Sequence, residues 1–163
     1  MPSEIEDRIG ATIERLKDVA NSGFSLALHV RYAAPAFLLQ SYPKEWIEIY
    51  SREGMVLRDP TLLWAMTHTG WKRWSDMMGT SHSDIMRRAA DFGIRYGAAY
   101  VTKAHGSRSM AFVSRHDREL DAHDRQLVER DFDELHLLTL GVKNLSPDVS
   151  RQLRAISVHA NHR

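Results

Sequence analysis

Apolar side chains recur along this chain at two periods, and the changes between them divide it into helices and strands. Ile5, Ile9, Ile13, Leu16 and Val19 or Ala20 fall on one face at helical spacing. Ser3 and Glu6 make a capping box ahead of them, and Gly23 is the stop. From Phe24 to Tyr32 the period becomes two: Phe24, Leu26, Leu28 and Val30 alternate with Ser25, Ala27, His29 and Arg31, which predicts a strand. Its second face begins with small residues and leaves room beside the sheet. His29 falls near that face, where a lone histidine is more often a hydrogen-bonded structural residue than a functional one.

Ala33 to Gln40 reads as a turn and a second strand, with Phe37 and Leu38 apolar. Pro43 opens a helix that Gly54 closes, and Asp59-Pro60 opens a shorter one closing near Gly70. Trp71 and Trp74 follow in an irregular or extended segment. Ser81 and Asp84 form a capping box for a helix to about Asp91, ended by Gly93. Ile94 to Ala104 and Arg108 to Arg115 read as the strands of a hairpin across His105-Gly106-Ser107. From Asp121 a long helix carries Leu127, Val128, Phe132, Leu135, Leu138 and Leu140, to about Val142. Helix, two strands, helices, two strands, helix is not the alternation of a parallel doubly wound sheet. It predicts an α+β fold, with helices packed on an antiparallel sheet.

Composition narrows the class of function. A length of 163 residues fits one domain with a real core, and 43% hydrophobic with 26% charged residues is ordinary for a globular protein. A net charge of +1 provides no basic field that would by itself hold nucleic acid. No apolar run approaches a membrane span and the start lacks a signal-peptide pattern. The absence of cysteine excludes disulfides and thiol chemistry and suits a cytoplasmic location.

The candidate chemistry lies in Tyr42-Pro43-Lys44-Glu45-Trp46-Ile47-Glu48-Ile49-Tyr50 and in Asp59-Pro60 beyond it. Tyr42, Trp46 and Tyr50 stand at i, i+4 and i+8, stacked on one helical face. Aromatics with polar tips and a nearby acid suit a mostly apolar ligand with a small polar head. The same residues also read as core aromatics and as an N-cap followed by a first-turn proline.

The pattern Y-P-x-x-W-x-x-x-Y, then D-P, then Trp74 twenty-eight positions after Trp46, resembles the autoinducer-binding domain of LuxR-type quorum-sensing transcriptional regulators. Asp91-Phe92-Gly93-Ile94-Arg95-Tyr96-Gly97 and Lys103-Ala104-His105-Gly106-Ser107 are similar to that domain at the right distance, so the likeness spans roughly residues 4 to 142. It implies an α-β-α sandwich: a five-stranded antiparallel sheet between helical layers, with an N-acyl-homoserine lactone enclosed between the sheet and one layer. The Trp46 indole N–H would then meet the lactone carbonyl, Asp59 the amide N–H, and the Tyr42 hydroxyl the amide carbonyl, each within its bonding capacity. Tyr50 and Trp74 would pack against the ring end, and the strand face carrying Ala27 would look into the cavity. The tail would lie on Leu62, Ile85, Met86, Ala89, Ile94, Ala99 and Met110, positions that read equally well as plain core. Gly97 and Gly106 match glycines of the family. Phe112 stands where many relatives carry a Ser or Thr, which bears on acyl-chain length, and Ser114 is two positions on. No cofactor or metal is implied.

Residues 1–144 form the expected autoinducer-binding domain. Residues 145–163 are expected to be a terminal helix or the truncated start of the helix-turn-helix module through which LuxR-type regulators bind DNA. The chain is accordingly expected to be a piece of such a regulator, or a short form that sequesters ligand or forms inactive dimers with a full-length one. By resemblance it would be a homodimer, with the long helix from Asp121 as a candidate surface. A ligand-degrading enzyme is the rival reading, and no H-x-H-x-D-H, H-E-x-x-H or G-x-S-x-G run supports it. A sensor for another small apolar ligand is the other alternative.

Overall fold

The period-two stretches pair edge to edge, and each face of the resulting sheet collects a separate set of helices. A computed structural model describes residues 4–32, 34–77 and 83–141. Its elements are α1 (Glu4–Val19), β1 (Gly23–Arg31), β2 (Ala34–Gln40), α2 (Lys44–Arg52), a 3-10 turn (Met55–Leu57), α3 (Pro60–Thr67), β3 (Gly70–Arg73), α4 (Trp74–Met77), α5 (Ser83–Ala90), β4 (Tyr96–Ala104), β5 (Ser107–Arg115) and α6 (Ala122–Thr139). The five strands run β2-β1-β5-β4-β3, and every neighbouring pair is antiparallel. The capping residues Ser3 and Ser81, the helix end expected at Val142, and residues 145–163 with their expected terminal helix lie outside the described residues.

One face of the sheet is a dense core. Ile9, Ile13 and Leu16 of α1 and Val128, Phe132 and Leu135 of α6 pack on Phe24, Leu26, Leu28, Ala111 and Val113. Asp121 caps α6 through a reciprocal box with Asp124, at 2.9 and 2.8 Å. The hairpin β4-β5 turns at His105 and Gly106, whose φ of 56° and 72° are the left-handed pair that a two-residue turn of this twist requires.

Two expectations need correction. Trp71 and Trp74 do not sit in an irregular segment: Trp71 lies in the four-residue edge strand β3, and Trp74 opens the short helix α4. Four half-buried residues are too few for period-two alternation to appear in the sequence. The second correction concerns β1, where the register against β5 shifts between Ala27 and Val30 and His29 takes φ 56°. This bulge breaks the alternation. Val30 turns toward the face of Ser25 and Ala27, while His29 goes to the α6 side and bonds to Thr139.

Candidate ligand-binding site

On the other face, α2 to α5 arch over the sheet and enclose a cavity of about 440 Å³, a size ordinary for small-molecule sites. Its floor is Ser25, Ala27 and Val30 of β1, Leu38 and Gln40 of β2, and Met110 and Phe112 of β5. All the residues expected at the site line this cavity except Ala99. Ala99 is fully buried, opposite Phe112 in the strand register and in the same apolar cluster.

The polar end is built on α2 and the start of α3. Tyr42 and Trp46 are 8% and 6% exposed, which places two amphipathic rings deep in the wall. Trp46 also packs against Phe92 and Tyr50, with ring centroids at 5.6 and 6.0 Å. The Tyr42 hydroxyl donates to the Phe112 carbonyl at 3.4 Å, a long bond that a better acceptor can displace. Burial pushes its pKa up, and the charge on Asp59 adds to the effect. The Tyr50 hydroxyl donates to Asp59 Oδ2 at 2.7 Å, and burial and that carboxylate raise its pKa as well. Both phenols therefore remain donors at any ordinary pH.

Asp59 serves α3 and the cavity together. Its Oδ1 caps α3 by accepting from the Thr61 N–H at 2.9 Å and from the Thr61 hydroxyl at 2.7 Å. With Oδ2 engaged by Tyr50, the four lone-pair sites of a carboxylate leave about one open. The local reading of Asp59-Pro60 as a helix start and its reading as a site residue thus hold together.

Two glycines set the aromatic walls. A Cβ on Gly97 would come within 2.3 Å of the Trp74 ring, so the indole lies directly on the backbone of β4. A Cβ on Gly23, which has φ +117°, would meet Tyr42 Cδ1 at 2.7 Å. The Trp74 indole N–H is buried with no hydrogen-bond partner among the described residues.

The remaining wall is apolar: Leu62 of α3, Ile85, Met86 and Ala89 of α5, and Ile94 beyond it. The cavity opens where Leu38, Val56, Leu57, Leu63 and Met66 both line it and reach solvent, Leu57 being 84% exposed. Of these, Leu38 was read only as an apolar strand residue, and Val56, Leu57, Leu63 and Met66 were not foreseen, because the 3-10 turn and the outer face of α3 carry no periodic signal. Ser25 and Gln40 were also missed, although Ser25 shares the small-residue face already read beside Ala27.

The autoinducer binding domain family matches residues 15–140 of the chain. The chain belongs to that family. The autoinducer-binding fold also appears among solved structures. The N-acylhomoserine lactone dependent LuxR family transcription factor CepR2 from Burkholderia cenocepacia is 16% identical, with a TM-score of 0.54 over 82% of this chain and 95% of that one. SdiA in complex with octanoyl-rac-glycerol is 17% identical, with a TM-score of 0.63 over 96% and 71%. The solution structure of residues 1–171 of Escherichia coli SdiA is 18% identical, with a TM-score of 0.61 over 85% and 91%. At these identities the likeness is one of fold. No curated protein sequence matches the chain.

Membership of that family makes this an autoinducer-binding, signal-sensing domain of quorum sensing. Among the described residues no helix is long and apolar enough to cross a membrane.

Proposed function

We propose that the cavity binds an N-acyl-homoserine lactone, without turning it over, as the sensing step of a LuxR-type transcriptional regulator. The observation that carries this is the meeting of Tyr42, Trp46 and Asp59 at one end of a cavity otherwise lined by apolar side chains. The headgroup brings two carbonyl acceptors and one amide donor, and this end meets them with the Tyr42 and Trp46 donors and one open acceptor site on Asp59, the Trp74 indole N–H, unpartnered among the described residues, standing beside them. Trp46 Nε1–H takes the lactone carbonyl, Tyr42 the amide carbonyl, and Asp59 the amide N–H. Leaving any one of these unpaired after burial costs about 1–3 kcal/mol, so together they select the head. Tyr50 and Trp74 close around the ring. The tail runs over Ala27, Leu62, Met110 and Phe112 under Ile85, Met86 and Ala89, each buried methylene contributing roughly 0.8 kcal/mol.

CepR2 is described as dependent on an N-acylhomoserine lactone, which supports the reading, and the SdiA structure with octanoyl-rac-glycerol supports a second ligand of the same kind, an acyl chain on a small polar head. Mass spectrometry of material extracted from the protein purified out of a lactone-producing host separates the two. A lactone in stoichiometric amount is expected; an acylglycerol alone would favour the second ligand, and ring-opened product would indicate an enzyme. The domain is further read as cytoplasmic and homodimeric, with DNA contacted through a separate helix-turn-helix module. Light scattering with and without ligand checks the dimer.

A further inference from the structure

We propose that Ser25 and Gln40 form a second polar station in the cavity, which selects acyl chains carrying an oxygen, as carbonyl or hydroxyl, on a carbon close to the amide. This rests on the acyl-homoserine lactone reading and concerns the tail, which that reading leaves open.

The two residues stand opposite each other in the β1-β2 register, both lining the cavity, and Gln40 Nε2 donates to Ser25 Oγ at 3.2 Å. On its other side Ser25 faces Phe112 of β5, the residue whose carbonyl receives the Tyr42 hydroxyl. Gln40 is two residues before Tyr42 in the chain. Ser25 therefore lies one strand, and Gln40 two, from the Phe112 position that Tyr42 reaches, which sets the pair beside the first carbons of a chain whose amide meets Tyr42.

Their bonding capacity is only partly used. A serine hydroxyl that accepts from Gln40 keeps its own O–H, and the Gln40 amide keeps a second N–H and a carbonyl oxygen. Two other hydroxyls on this side of the protein are already engaged. Ser114 is fully buried and donates to the Gly23 carbonyl at 3.0 Å, and the Thr61 hydroxyl is turned to Asp59 at 2.7 Å. Phe112 offers no hydroxyl from β5. A plain methylene chain laid on Ser25 and Gln40 removes their water and returns no hydrogen bond, whereas a chain oxygen accepts from the free Ser25 O–H or the second Gln40 N–H. The polar function that Phe112 takes from β5 is thus supplied from β1 and β2.

The test is a calorimetric titration of the protein with two N-acyl-homoserine lactones of equal chain length, differing only in a carbonyl on the third acyl carbon. The wild-type protein is expected to bind the oxygenated ligand about tenfold more tightly or better. Gln40→Met and Ser25→Ala should each bring the ratio of affinities toward unity, while Trp46→Phe weakens both ligands and leaves the ratio standing. Equal wild-type affinities, or a ratio that survives both Gln40→Met and Ser25→Ala, would overturn the selection by this pair while leaving the ligand class intact. Failure of the wild-type protein to bind either lactone would overturn both.

Discussion

Trp46 is the residue on which ligand class depends most, because an indole offers a donor and no acceptor. Trp46→Phe keeps most of the packing against Phe92 and Tyr50 and removes only that donor. Calorimetry is expected to show about a tenfold to hundredfold loss of affinity for an acyl-homoserine lactone, which is about 1–3 kcal/mol. Gly97 acts through a neighbour. Alanine there drives a methyl into the Trp74 ring, and the overpacking should cost about 1–3 kcal/mol. A urea titration reads this as a lower midpoint with an unchanged slope; an unchanged midpoint would mean that the indole moves aside freely. The aromatic and acidic positions were legible because their spacing and types are distinctive. Ser25 and Gln40 were not, since a serine and a glutamine in strands have ordinary surface readings. Ala99, placed on the lining by resemblance, lies buried opposite Phe112 and outside the cavity lining.

At the scale of elements, the bulge in β1 has the largest consequence. It sends His29 to the α6 side, where Nε2 donates to the His136 carbonyl at 3.1 Å and to Thr139 Oγ1 at 2.9 Å. Thr139 spends its own proton on the Leu135 carbonyl at 2.7 Å, so His29 Nδ1 is the atom that accepts, from Ser107 at 2.6 Å. The ring is thereby held neutral, 4.6 Å from the His136 ring. Burial and the adjacent His136 keep the His29 pKa below its ordinary value, against a smaller opposing effect of the bond to the His136 carbonyl. The unfolded chain then takes up the proton first as pH falls. This contribution to stability is full above about pH 6.5 and is lost as pH falls through the lowered folded value. Urea midpoints measured from about pH 7.5 to about pH 5 should decline, and His29→Asn, which tolerates the left-handed backbone, should flatten the decline. An equal decline in both proteins would place the titration elsewhere. Four of the five strands were readable in the sequence, β1 from its alternation, but the bulge was not, because one extra residue leaves the local pattern intact until the partner strand is known.

The whole molecule divides its stability between two faces. The α1-α6 side is close-packed around Phe24, Phe132 and Leu135 and needs no ligand. The α2-α5 side surrounds a cavity whose mouth leaves Val56, Leu57 and Leu63 in solvent, so filling it should stabilise the fold by mass action. Helices packed on an antiparallel sheet could be anticipated from the order of elements, and the two helical layers enclosing a ligand only from the family resemblance. Neither gives the extent of the cavity, because its volume arises from small residues on one sheet face meeting short helices that are distant in sequence.

Thermal unfolding with and without an acyl-homoserine lactone tests the central claim most directly. With ligand at a hundred times its dissociation constant, a linkage of about 2.7 kcal/mol should raise the midpoint by about 5–10 °C. The same concentration should raise Trp46→Phe markedly less. A midpoint that no lactone moves, whether its chain is long or short, would contradict the claim.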